Sequence, residues 1–263
     1  MTVSAPGPFA TEQSLLTPDG VRLRAGLAPG PGGPTAIVLV HGFNARIDKA
    51  ANLQVLGVLA ESFPVIAVEL RGHGDSEGEC TLGDKEIHDV TAAVQWAREL
   101  GFRSVATVGF SMGASVVVRH AGLVGGVEGV VAVSGPAFWN YRGTPVMRRL
   151  HFGVEHPVGR LVVRHVLGTR VIPPPWPQPW PLPPVEAARR IPPLPFLIVH
   201  GTQDAFFPQE HPDALRRAAA QGAAEHGVPD RTELWLRPFG HAEAAIPAEV
   251  LGDITKWWSA QAP

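Results

Sequence analysis

Two serines in this chain lie between glycines in the pattern Gly-x-Ser-x-Gly, Ser111 in GFSMG and Ser76 in GDSEG. A serine hydroxyl is a weak nucleophile until a neighbouring base takes its proton, so the surroundings decide which of the two can do chemistry. Ser111 directly follows the apolar run SVATVGF and opens the helix-like stretch SMGASVVVRHAG. A sharp strand-to-helix turn needs small residues on either side of the serine, and Gly109 and Gly113 supply them. Such a turn lifts the hydroxyl out of a sheet and sets free backbone N–H groups at a helix N-terminus behind it. Ser76 lies several residues past its apolar run, between Asp75 and Glu77. Two carboxylates there would oppose negative charge on a tetrahedral intermediate, so Ser76 is read as structural.

Among the 11 histidines, His241 in RPFGHAEA stands on the loop leaving the last apolar run, TELWLRP, where a base can reach a nucleophile presented from a neighbouring strand. His41 and His200 each close a strand before glycine and are expected to support turns. The acid that holds the imidazole is expected to be Asp204 in HGTQDAFFP, with Glu210 and Asp213 as competitors; the end of the preceding strand, VVAVSGPAFWN, carries no Asp or Glu. Two backbone N–H groups should face the oxyanion, one from Met112 after the nucleophile and one from Phe43 after the His41-Gly42 pair.

These residues need a scaffold that brings distant segments to one edge. TAIVLVHG, FPVIAVELRG, SVATVGFS, GVVAVSGP and PFLIVHGT are short, nearly continuous apolar runs that end in glycine or a polar turn residue, as suits strands buried on both faces of a parallel sheet. Helix-like segments at 44–63, 84–100 and after Ser111 alternate with them. Val90, Ala93, Val94 and Ala97 repeat at helical spacing. The expected fold is therefore α/β, a doubly wound sheet of right-handed βαβ units. Near the N-terminus, PFATEQSLL and VRLRAGLA flank the turn PDG and read as an antiparallel hairpin.

The alternation breaks between 136 and 194. VMRRLHFGVEHPVGRLVVRHVLG reads as one or two helices, and VIPPPWPQPWPLPP as a polyproline-like arm. Residues 1–135 and 195–263 are assigned to a core and 136–194 to an inserted lid. Arg142, Arg148, Arg149, Arg160 and Arg164 face a single acid, Glu155, in its first half. Its apolar residues are expected to pack on the domain with the arginines in water, or to roof a pocket above Ser111 with Trp139 and Phe152 as walls.

Composition narrows the function classes. With 263 residues, 45% hydrophobic and 17% charged, the chain has an ordinary globular balance, and a net charge of -2 gives no reason to expect nucleic acid. Cys80 is the sole cysteine, which excludes an intramolecular disulfide or a cysteine-based metal cluster. No apolar run reaches the 18 residues of a membrane span, and the N-terminus lacks signal-peptide character, so a cytoplasmic location is expected.

LVHGF, RGHGDSEG, GFSMG, HGTQD and FGH, in this order, resemble the α/β-hydrolase superfamily over about residues 20–260, nearest its small carboxylesterase, monoglyceride-lipase-like and serine aminopeptidase-like branch. The order Ser, Asp, His is that of this fold. The resemblance implies hydrolysis of an ester, thioester or amide through an acyl-enzyme, without metal or organic cofactor. Epoxide hydrolases and dehalogenases of the fold use an aspartate nucleophile, against which Ser111 argues. The expected function is a carboxylesterase for a small or medium acyl ester. The alternatives are a peptidase, amidase or thioesterase, or a non-catalytic ligand-binding protein of the same fold.

Overall fold

The computed structural model describes residues 7–261 except 175, 177 and 179. Eight strands form one sheet: β1 (Thr11–Leu16), β2 (Arg22–Ala28), β3 (Thr35–Val40), β4 (Val65–Val68), β5 (Ser104–Phe110), β6 (Gly129–Val133), β7 (Phe196–Gly201) and β8 (Thr232–Arg237). They lie in the order β1-β2-β4-β3-β5-β6-β7-β8. The pairs β1–β2 and β2–β4 are antiparallel and the other five are parallel, so the expected hairpin leads into a parallel sheet.

Every residue of β3 to β7 is buried, which explains their uninterrupted apolar sequences. Alternate side chains serve two cores. Val38, Val40, Phe196 and Ile198 face one layer, which holds α2 (Ile87–Glu99), α3 (Met112–Leu123) and α7 (Glu210–His226). Ile37, Leu39, Leu197 and Val199 face the other, with α1 (Ala50–Ala60) and α8 (Ala248–Gln261). The segment expected to be helical from residue 44 starts its helix only at Ala50. Asn44 has a φ of 60°, outside the helical region, and the loop before α1 instead borders the site.

The segment between β6 and β7 forms three helices, α4 (Pro145–Glu155), α5 (Pro157–His165) and α6 (Pro184–Ala188). The break between the first two has a local cause. Pro157 lacks an N–H and cannot continue α4, whereas it suits the first position of α5, where the His156 ring accepts from the Val158 N–H at 3.3 Å. After α5 the chain is stitched to the loop past β4: Arg170 N–H donates to the Gly72 carbonyl and Cys80 N–H to the Arg170 carbonyl, each at 2.7 Å. Pro183 is extended, at φ -70° and ψ 158°, as expected of a proline arm, although Pro175, Pro177 and Pro179 lie outside the described residues.

Helix α6 packs on α3 and α7, and its Ala187 and Ala188, with Ile191 beyond it, are buried in the core. α5 departs from the expected packing: Val158, Leu161, Val162 and Val166 face solvent, and Val163 is its one buried residue.

Candidate active site

Strands β5, β7 and β8 run parallel in one sheet, with β6 between the first two, so the loops at their C-terminal ends converge on a single edge, where ligands of open α/β sheets bind. Ser111 follows β5, Asp204 follows β7 and His241 follows β8.

Ser111 caps α3 with φ 51° and ψ -116°, a conformation that non-glycine residues rarely adopt. Its neighbours must be glycines because the turn is tight. A Cβ on Gly109 would run into the Gly113 carbonyl, and one on Gly113 into the carbonyls of Val40 and His41 on β3 and its loop. The backbone is thus held by packing in the form that presents Oγ to the cavity.

The His241 imidazole lies between two oxygens. Its Nε2 is 2.8 Å from Ser111 Oγ, and its Nδ1 is 2.8 Å from Asp204 Oδ2. Asp204 keeps 1% of its side chain exposed and His241 15%. Burial alone would raise the Asp204 carboxyl, but hydrogen bonds from His241 and from the N–H groups of Phe207 and Phe206 outweigh it and hold the pKa below its ordinary value. A carboxylate so held accepts from Nδ1–H, which leaves Nε2 as an acceptor for the serine proton.

One further contact orients the imidazole and another holds the backbone beside it, and the sequence motifs pointed to neither. The Phe206 ring stacks on His241 at 4.0 Å between centroids, and Ser134 Oγ accepts from the Ala242 N–H at 3.2 Å. The pair Phe206-Phe207 next to Asp204 was the available signal for the first. Glu210 and Asp213 lie on α7, and neither bonds His241.

Phe43 and Met112 both line the cavity beside Ser111, and among the described residues neither backbone N–H finds an acceptor within the chain. Two buried histidines shape this loop. His73 Nε2 accepts from the Asn44 N–H at 3.2 Å, and His41 Nε2 accepts from the Leu70 N–H at 3.1 Å. Their Nδ1 atoms lie 3.0 Å and 2.7 Å from the carbonyls of Arg71 and Gly42. Burial lowers the His41 pKa to about 4 and that of His73 to about 3, so both rings are neutral, each with one donor and one acceptor.

One acid at the site was not anticipated. Glu243 follows His241 in a short 3-10 turn (Ala242–Ala244), borders the cavity and accepts from the Gly42 N–H at 3.2 Å. It makes no ion pair among the described residues.

The cavity, of about 390 Å³, is mostly apolar and aromatic, with Phe43, Phe138, Tyr141, Trp176 and Phe207 in its wall. Trp139 lines it as expected; its indole N–H donates to the Pro181 carbonyl at 2.7 Å. Phe152 does not line it. Its ring is 66% exposed and stacks on His156, because α4 turns Met147, Leu150, His151 and Val154 inward instead. Ser76 is fully buried, donating to the Glu69 carbonyl at 2.6 Å and accepting from the Arg24 N–H at 2.9 Å, a structural role. Cys80 is buried 3.7 Å from the Met112 sulfur, and burial raises its thiol pKa. No cluster of three His, Cys, Asp or Glu side chains arranged for a metal occurs among the described residues, and no helix there is long and apolar enough to cross a membrane.

A sharp serine turn with histidine and carboxylate at the ends of three parallel strands of one sheet defines a class of hydrolytic fold. The model of the alpha/beta hydrolase family matches residues 37–245, and the chain belongs to that family. Among solved structures, it is similar to an esterase of Pyrococcus furiosus (TM-score 0.76, 21% identity, 98% of this chain and 97% of that one). It is also similar to an esterase of a Rhodococcus species (TM-score 0.66, 19% identity, 95% and 99%). At these identities the likeness is one of fold. Among curated proteins, epoxide hydrolase A of Mycobacterium tuberculosis is 33% identical over 131 residues, 49% of this chain and 40% of that protein. A dihydrolipoyllysine-residue acetyltransferase component of an acetoin cleaving system, from Cupriavidus necator, is 32% identical over 104 residues, 39% and 26%. The matches thus span less than half the length of these curated relatives.

Proposed function

We propose that the chain is a serine hydrolase that cleaves small or medium acyl esters through an acyl-enzyme. The observation that carries this reading is the His241 ring, within 2.8 Å of both Ser111 Oγ and Asp204 Oδ2 at the mouth of an apolar cavity. His241 takes the Ser111 proton as Oγ attacks the acyl carbon, and Asp204 stabilises the resulting imidazolium. The N–H groups of Met112 and Phe43 receive the oxyanion. His241 then protonates the leaving alcohol, and a water activated by the same ring releases the acid.

The esterases of similar fold agree with this reading. The family resemblance implies an aspartate nucleophile for epoxide opening on this fold, and the residue at the turn is Ser111. The test is turnover of chromogenic acyl esters of increasing chain length, with an organophosphonate probe mapped by mass spectrometry. Hydrolysis with the label on Ser111 supports the proposal; absence of turnover on every ester together with an unlabelled Ser111 overturns it.

A second reading is favoured by Glu243. An anion bonded to the oxyanion loop opposes the negative charge of the tetrahedral intermediate and so hinders a neutral substrate. A substrate with an ammonium in its acyl part, such as an aminoacyl ester or amide, would turn that charge into an attraction. Glu243→Gln should then lower kcat/KM for an aminoacyl ester and raise it for the neutral analogue. A parallel change in both would sink the reading.

A further inference from the structure

Helix α5 carries its apolar stripe on the outside. Val158, Leu161, Val162 and Val166 recur at the three- and four-residue spacing of one helix face, and they are 63%, 58%, 47% and 74% exposed. Phe152 on α4 and Leu167 just past α5 are also exposed. Single exposed apolar side chains are ordinary, but six on one helical hairpin mark a surface made for contact. On the inner side of α5, Gly159 lies close against the backbone of Gly153 on α4, and Val163 is buried. The hairpin is therefore packed in a set orientation, with the stripe turned away from the core.

The same hairpin is strongly cationic. Arg142, Arg148, Arg149, Arg160 and Arg164 stand against Glu155 alone, and that carboxylate is already engaged by Arg142 and by His151 at 3.0 Å. Arg149 and Arg164 are exposed, and neither forms an ion pair among the described residues. Arginines beside an outward apolar stripe complement a surface that is apolar beneath and anionic above. A second copy fits less well, because a two-fold contact would set these arginines against their own equivalents.

We propose that the α4–α5 hairpin docks on an anionic lipid surface. The α5 stripe and Phe152 enter between the headgroups, and Arg149 and Arg164 meet the phosphates. The other side of α4 lines the cavity through Met147, Leu150 and Val154, so the docked hairpin separates the reaction cavity from the lipid by the thickness of one helix.

The test is co-sedimentation of the full chain with vesicles of phosphatidylcholine alone and with added phosphatidylglycerol. The wild type should sediment with the phosphatidylglycerol vesicles and be released by raised salt. Leu161→Asp with Val166→Asp should abolish sedimentation while leaving the melting temperature and any hydrolysis of a water-soluble ester unchanged, since both side chains are exposed and neither lines the cavity. Arg149→Gln and Arg164→Gln should weaken partitioning about fivefold per arginine. No sedimentation of the wild type with phosphatidylglycerol vesicles, or equal sedimentation by the Leu161→Asp/Val166→Asp variant, overturns the proposal. So does a wild-type dimer in sedimentation velocity that this variant converts to monomer, which would make the stripe a subunit interface.

Discussion

Asp204 and His241, 37 positions apart, meet at 2.8 Å while the second oxygen of Asp204 is held by two backbone N–H groups at 2.7 and 3.1 Å. The carboxylate has no freedom to turn, and so neither has the ring. In Asp204→Asn, the amide would favour the wrong imidazole tautomer with little change in shape. We expect kcat on an ester to fall about 10⁴-fold with the melting temperature nearly unchanged. Equal turnover in the two proteins would remove Asp204 from the mechanism.

The two serines should respond in opposite ways. Ser111→Ala should abolish turnover, by about 10⁴-fold or more, without loss of stability. Ser76→Ala should keep turnover but lose about 1–3 kcal/mol of stability, because it strands the part-buried Arg24 N–H and the buried Glu69 carbonyl. Steady-state kinetics and urea unfolding on both variants check the pair. A catalytic defect in Ser76→Ala at full folding would reverse the assignment.

Acyl-chain preference should be set from α4. Leu150 borders the cavity, so Leu150→Ala should favour longer esters, by about 1–3 kcal/mol per added methylene accommodated. Phe152→Ala, on the outer side, should leave the ratio of kcat/KM between short and long esters as it is. If the two variants behave alike, α4 does not line the acyl site.

Stability should fall on mild acidification. His41 and His73 have folded pKa values near 4 and 3, lowered by burial from 6.5. As pH drops below 6.5 the unfolded chain takes up protons that the folded chain refuses. The stability that rests on the neutral rings is therefore complete above pH 6.5 and is lost as pH falls towards 4, at about 1.4 kcal/mol per pH unit for each ring. Urea unfolding at pH 7.5, 6 and 5 measures this slope. A flat profile would mean that the folded protein accepts these protons.

Much of this was legible in the sequence, and for a physical reason. Strands buried on both faces leave unbroken apolar runs, so β3 to β7 announce themselves, and the steric demand at Ser111 admits only glycine at 109 and 113. Periodicity, however, reports that a helix has an apolar stripe and not which way the stripe faces. Val158, Leu161, Val162 and Val166 form such a stripe, and the packing turned it outward; Phe152 went with it. The short α6 was hidden among prolines, and its burial depends on alanines small enough to approach α3 and α7. Glu243 and Ser134 act on the site from positions that carry no pattern of their own.

The order of the sheet also sets a timetable. β8 is an edge strand and the last to be made, and it delivers His241 to a serine 130 positions earlier. A nascent chain can complete β3 to β7 and form the serine turn while still lacking its proton acceptor. Under the proposed mechanism, hydrolytic competence arrives only when this edge strand docks beside β7. The same arrangement makes catalysis a sensitive reporter of fraying, since one pairing partner alone, β7, holds that strand in the sheet.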